Sequence, residues 1–337
     1  MKDYFCAFKV SGLFIGTVIG AGFATGEEIR LYFRGQNDLT VVLSALVFAL
    51  FCALFLFASK KKKPPLRKWI KIVWEIAKFL CAGISLVAMC SACEQIIFGA
   101  IGFKSAGVWL FALCAVLGEK ENKVLAFINA VIVPIIVIFI IGVYIGADTE
   151  SLYVATPKVL PAFLYSAMNI FGGAIMLDRM GAEMSKKQII HSTVISFVIM
   201  CLLMLCIKKI VETNSLSMPL LCVAKDNKMV ISGILVVLLA VFTTMLSDVS
   251  IMYDSMSKVA SKKCIRILVL CAFCLIGICS DFSKTVSTLY PVISYCGVVY
   301  VLHATVRLIA GDFLFDKYHN RIHCSCQSAK NYGAGHN

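Results

Sequence analysis

The segment Gly16-Thr17-Val18-Ile19-Gly20-Ala21-Gly22-Phe23-Ala24-Thr25-Gly26-Glu27-Glu28 lies inside the first hydrophobic stretch, yet it carries four glycines and ends in two carboxylates. A helix that only crosses a bilayer has no use for this pattern. Each interior Gly costs roughly 0.5–1 kcal/mol relative to Ala, and a membrane-embedded carboxylate costs roughly 2.5–3.5 kcal/mol on insertion scales. A membrane helix can break only where the freed backbone is buried in protein or lines a cavity. The chemistry on offer is main-chain recognition. With Gly20, Ala21 and Gly22 unwound, a half-helix begins near Phe23 and presents free N–H groups with roughly half a positive charge, an end suited to an anion such as a carboxylate. Close helix packing by small residues explains Gly16, Gly20 and Gly22 equally well on composition alone.

A second polar interruption reads Asn169-Ile170-Phe171-Gly172-Gly173. Asn169 supplies a donor and an acceptor at mid-depth, Phe171 can close over an apolar group, and Gly172 and Gly173 let the backbone open. The alternative is a glycine kink, with Asn169 bonded to a neighbouring helix. A third cluster is Thr243-Thr244-Met245-Leu246-Ser247-Asp248. Thr244, Ser247 and Asp248 share one helix face by their spacing, and their hard oxygens suit a small hard cation such as Na⁺. The alternative is that the hydroxyls bond carbonyls of their own helix. Asp248 lies roughly 7 Å from the centre of its span at 1.5 Å per residue. It is a candidate proton carrier or an anionic sodium ligand. Glu28, about six residues beyond Gly22 and so roughly 9 Å outward on a continuous helix, reads either as a gating or proton-accepting acid or as a residue of a wet vestibule. Glu27 and Arg30 form an i, i+3 ion pair in the second case.

These groups must be held by membrane helices. The chain has 337 residues, 60% hydrophobic and 15% charged, with a mean hydropathy of +0.89. Repeated apolar runs of roughly 20 residues read as spans. The pattern predicts about ten of them, at 7–33, 39–58, 69–98, 105–118, 122–146, 158–181, 187–210, 229–257, 263–280 and 285–310. Met1 to Val10 mixes both signs of charge and runs on into the first span, so it is read as part of that span and not as a removable signal. The net charge of +13 sits in short loops, above all Lys60 to Lys63, rather than on a nucleic-acid face. If both termini are cytoplasmic, the basic loops fall on one side. The loop around Lys60 to Lys63 also favours anionic lipid headgroups. The sixteen cysteines lie mostly within apolar runs and read as small hydrophobes. The tail residues His319, His323, Cys324 and Cys326 match no strong zinc spacing, so no cofactor or structural metal is expected.

The two interrupted spans are the first and the sixth. An odd offset of five places the second copy upside down, and breaks at matching positions of inverted halves point to a transporter's central site. The fold expected is an all-α polytopic membrane protein. It has a five-plus-five inverted repeat with helices 1 and 6 discontinuous: 1–150 as first repeat, 151–312 as second, and 313–337 as cytoplasmic tail.

With Gly20-Ala-Gly-Phe-Ala-Thr-Gly-Glu-Glu-Ile29 in span one, the chain resembles the YkvI-type family of bacterial membrane proteins. That family belongs to the amino acid–polyamine–organocation superfamily and is similar to the branched-chain amino acid:cation symporters. The resemblance implies the LeuT-like fold, a bacterial plasma-membrane location and a small amino acid or related amine as substrate. It also implies a sodium site formed by carbonyls matching Gly16 and Ile19 together with hydroxyls of span eight. The family pattern carries the acid at the position of Glu28 and an uncharged amide at that of Glu27, which singles out Glu28. The function this implies is a cation-coupled symporter with Na⁺ or H⁺ as coupling ion. The alternative is an amino-acid-sensing receptor subunit of the spore-germination type, which would need partner subunits. The sequence contains neither His-Glu-x-x-His nor Gly-x-Ser-x-Gly, so an enzyme is not expected. Oligomeric state is open.

Overall fold

The computed structural model describes residues 2–60, 67–118, 122–146, 156–213, 218–258 and 262–332, with the backbone alone at 2–3, 122–126, 175–176, 178–179, 307 and 310–332. The basic loop at 61–66 and residues 333–337 fall outside these, as do the tail side chains named above. The described residues form thirteen helices: α1 (Lys2–Val18), α2 (Ala21–Thr25), α3 (Glu27–Phe33), α4 (Asp38–Ala58), α5 (Lys68–Ile101), α6 (Ala106–Leu117), α7 (Asn122–Ile145), α8 (Val159–Gly181), α9 (Lys186–Thr213), α10 (Pro219–Asp226), α11 (Val230–Ser257), α12 (Lys263–Ile278) and α13 (Phe282–Tyr332). Every predicted span is occupied by helix, with limits that differ by a few residues in most. Six helices are long and apolar enough to cross a membrane on length and composition: α4, α5, α9 and α11, and the segments Phe127–Ile145 of α7 and Phe282–Val306 of α13. The helix α13 runs on through most of the segment expected as a tail. The chain is a multi-pass membrane protein.

The first span is broken, twice. α1 ends at Val18, where the Gly20 amide turns back to the Val18 carbonyl (2.8 Å) and the Ala21 amide meets Met89 Sδ (3.4 Å). Those two amides would otherwise bond the carbonyls of Gly16 and Thr17, which therefore lose their helical donors. The second break is at Gly26, which caps α2 in the left-handed conformation (φ 87°), a backbone state open to Gly without the Cβ clash other residues suffer. The chain thus changes direction just before Glu27.

The expected break in the sixth span is not there. α8 is continuous through Asn169, Phe171, Gly172 and Gly173. Gly lowers helix propensity by only about 1 kcal/mol, whereas an unpaired backbone group in a bilayer core costs several. Two glycines therefore do not open a helix unless partners replace the lost bonds. Gly173 instead gives α1 room: a Cβ there would stand 2.6 Å from the Phe14 ring.

Packing follows a regular scheme. α4 packs on α8, and α1 on α9. α5 packs on α12, and α11 on α6. α1 packs on α7, and α13 on α8. With α1–α3 counted as one span and α10 as a connector, each pair maps onto its partner when both members are advanced by five spans. α4, α8, α9 and α1 pack as one group; α5, α6, α11 and α12 form the other, with α5 against α11 at its centre.

Candidate functional site

A cavity of about 70 Å³ lies where the break in span one faces α5, α8, α11 and α13. Its polar lining comes from Thr17 of α1, Glu28 of α3, Lys78 and Ser85 of α5, Asn169 of α8, Asp248 of α11 and Tyr290 of α13. Phe171 and Gly172 complete one wall. A Cβ on Gly172 would meet nothing within 4 Å, so this glycine opens space at the cavity.

Two carboxylates dominate the site. Glu28 is 3% and Asp248 7% exposed. Glu28 Oε2 and Asp248 Oδ2 are buried without a hydrogen-bond partner among the described residues. Tyr165 faces Glu28, and Ser85 faces Asp248. Glu28 is not 9 Å outward from Gly22, as a continuous helix would place it. The turn at Gly26 folds it back, and its Cγ lies 2.6 Å from where a Gly22 Cβ would stand. Glu27, its neighbour, is an ordinary buried partner. Its carboxylate accepts from Arg30 Nε (2.8 Å) and from the Met218 amide (3.2 Å), so the predicted i, i+3 pair is present.

Of the remaining predicted residues, all but Asn169 sit behind the cavity wall. Gly20 faces Thr244, whose Oγ1 is buried and unbonded; Ala21 meets Met89. Gly22 lies under Glu28, and Phe23 is fully buried, its carbonyl accepting from Gly26. Gly173 packs on Phe14. Asn169 reaches the cavity but donates from Nδ2 to the Tyr165 carbonyl of its own helix (3.0 Å). Thr243 and Ser247 bond back to Ala240 and Thr243 carbonyls (both 3.0 Å), so their hydroxyls take the local option common in membrane helices. Ile19 is fully buried, and Gly16 packs against the Asn129 side chain. Of Thr243, Thr244 and Ser247, Thr244 is the one whose hydroxyl is left unbonded among the described residues.

Sequence reasoning missed Ser85 and Tyr290, which stand in no motif, and read Lys78 only as a partner for Glu75. Lys78 brings a cation to the lining, but its ammonium is held by Glu75 (2.7 Å), which also holds Lys258 (3.0 Å). Aromatic layers bound the site on both sides. Phe171 meets Tyr300, which stacks on Phe55 and meets Trp74 edge-on. At the other end Tyr165 packs on Tyr32 and Phe33, and the Tyr32 hydroxyl bonds Ser294 (2.6 Å).

The architecture, a broken first helix against a two-group bundle, is a LeuT-like fold. The structure is similar to Mhp1, a nucleobase-cation-symport-1 family transporter, in a closed conformation with bromovinylhydantoin bound. The TM-score is 0.60 at 11% identity, over 90% of this chain and 77% of that one. Mhp1 in its inward-facing conformation matches at a TM-score of 0.48 and 13% identity, over 91% and 75%. At these identities the likeness is one of fold. No family model and no curated protein sequence matches the chain.

Proposed function

We propose that the chain is a secondary active transporter, working by alternating access and coupled to Na⁺ or H⁺. The carrying observation is the cavity itself: it is lined jointly by the broken span one, by α8 and by the scaffold helices α5 and α11, with two buried carboxylates in its wall. A solute held there touches both packing groups, so movement of one group against the other would change the side to which it opens. The LeuT-like fold and the five-span regularity of the packing support inverted halves at 1–150 and 151–312. The YkvI-type resemblance, a bacterial plasma-membrane location and cytoplasmic termini belong to the same reading and rest on the sequence alone. The cargo class is a small amino acid or related amine, without enzymatic chemistry. For the ion, Asp248 in the cavity suits a proton or a cation, and Thr244 with the freed Gly16 carbonyl suits sodium.

Gly172→Cys in a background lacking the sixteen native cysteines tests this reading. An impermeant thiol reagent should label it from either face of the membrane, and ligand should slow labelling. Access from one face alone under all ion conditions would contradict alternating access.

A further inference from the structure

The substrate class can be narrowed from the charges. The expected recognition element was a half-helix N-terminus holding a substrate carboxylate. That element is covered, because the turn at Gly26 lays the protein's own Glu28 against Gly22 at the start of α2. A second anion placed there would meet a carboxylate at close range. The cavity instead exposes two acidic side chains, one from each half of the chain. Glu28 Oε2 and Asp248 Oδ2 both lack hydrogen-bond partners among the described residues, although each residue is more than nine-tenths buried. Lys78 does not balance them, since its ammonium is turned to Glu75. Tyr165 and Ser85 reach the two acids but leave these oxygens open; a buried carboxylate oxygen without a partner is unfavourable, and a charge-assisted N⁺–H···O⁻ bond is among the strongest available remedies.

We infer that the cavity binds a small organic ammonium ion, lacking a carboxylate of its own, between Glu28 and Asp248. This rests on the proposed central site but not on transport. The ammonium has donors for both acids, and Phe171 offers an apolar surface to a short alkyl chain. An amino acid would bring one carboxylate to a site that already holds two.

The test is ligand binding to the purified full chain in detergent, by thermal shift and calorimetry. The probes are propylammonium, 1,4-butanediammonium, alanine, propionate and NaCl at matched ionic strength. At least one ammonium probe should raise the unfolding midpoint in proportion to RT ln(1 + [L]/Kd), and alanine, propionate and NaCl should not. Glu28→Gln and Asp248→Asn should each weaken that binding at least tenfold. If either variant fails to fold, the wild type still decides: the ammonium probe should protect Glu28 and Asp248 from a hydrophobic carbodiimide, read by peptide mass spectrometry. Stabilisation by alanine or propionate alone, an equal effect of NaCl, or neither stabilisation nor protection by the ammonium probes overturns the inference. Ammonium binding without uptake into proteoliposomes would keep this site and remove the transport reading. Uptake of alanine without ammonium binding would do the reverse.

Discussion

Glu28 lies on Gly22. Its Cγ is 2.6 Å from where a Gly22 side chain would begin, so the left-handed turn at Gly26 sets both the shape of the break and the position of an acid in the cavity. Gly22→Leu should therefore displace Glu28 and abolish uptake. Overpacking of this kind costs about 1–3 kcal/mol, small enough to leave insertion intact. Uptake beside detergent-extracted yield separates the two effects, and normal uptake would remove Glu28's placement from the account.

Gly172 and Gly173 are adjacent and should respond in opposite ways. Gly173→Ala drives a methyl into Phe14 and should lower thermal stability by about 1–3 kcal/mol. Gly172→Ala meets open space and should hold or raise stability, by up to about 1 kcal/mol, while narrowing the cavity and raising the apparent KM. Melting curves and uptake kinetics on the pair check this.

Gly16 packs on Asn129 closely enough that a Cβ would overlap the amide. Gly16→Ala should cost about 1–3 kcal/mol, and Asn129→Ala in the same chain should return part of it. The coupling is read as a double-mutant cycle of unfolding midpoints; strict additivity would mean the contact carries no strain.

For ion coupling, Thr244→Val should weaken the dependence of uptake on Na⁺ more than Ser247→Ala. The Ser247 hydroxyl is already committed to the Thr243 carbonyl, and Thr244 Oγ1 is not committed. A sodium titration of uptake in both variants decides. A larger effect at Ser247 would relocate the ion.

Helix positions were legible because each is an apolar run set off by polar or charged loops, six of them long enough to cross a membrane. The break in span one was legible because Gly20 and Gly22 stand beside acids that a plain span would exclude. The sixth span misled because a glycine pair alone does not open a helix: in hydrocarbon Gly172 and Gly173 keep their backbone bonds. Glu28 was misplaced because a helical rise was assumed across Gly26, where a glycine directly before an acidic helix start signals a turn. The helix α10 was missed, although Pro219 occupies its first turn, a common position for proline. Which polar residue of α5 meets the cavity depends on helix rotation. Hydropathy does not encode that rotation.

The most direct measurement is gradient-driven uptake by the purified protein in proteoliposomes. Labelled amino acids and diamines are offered under an imposed Na⁺ or proton gradient, with Gly22→Leu as control. The expected result is accumulation above equilibrium that needs one gradient and is absent in the variant. Ligand binding with no gradient-dependent accumulation of any of them would contradict transport and leave a receptor in its place.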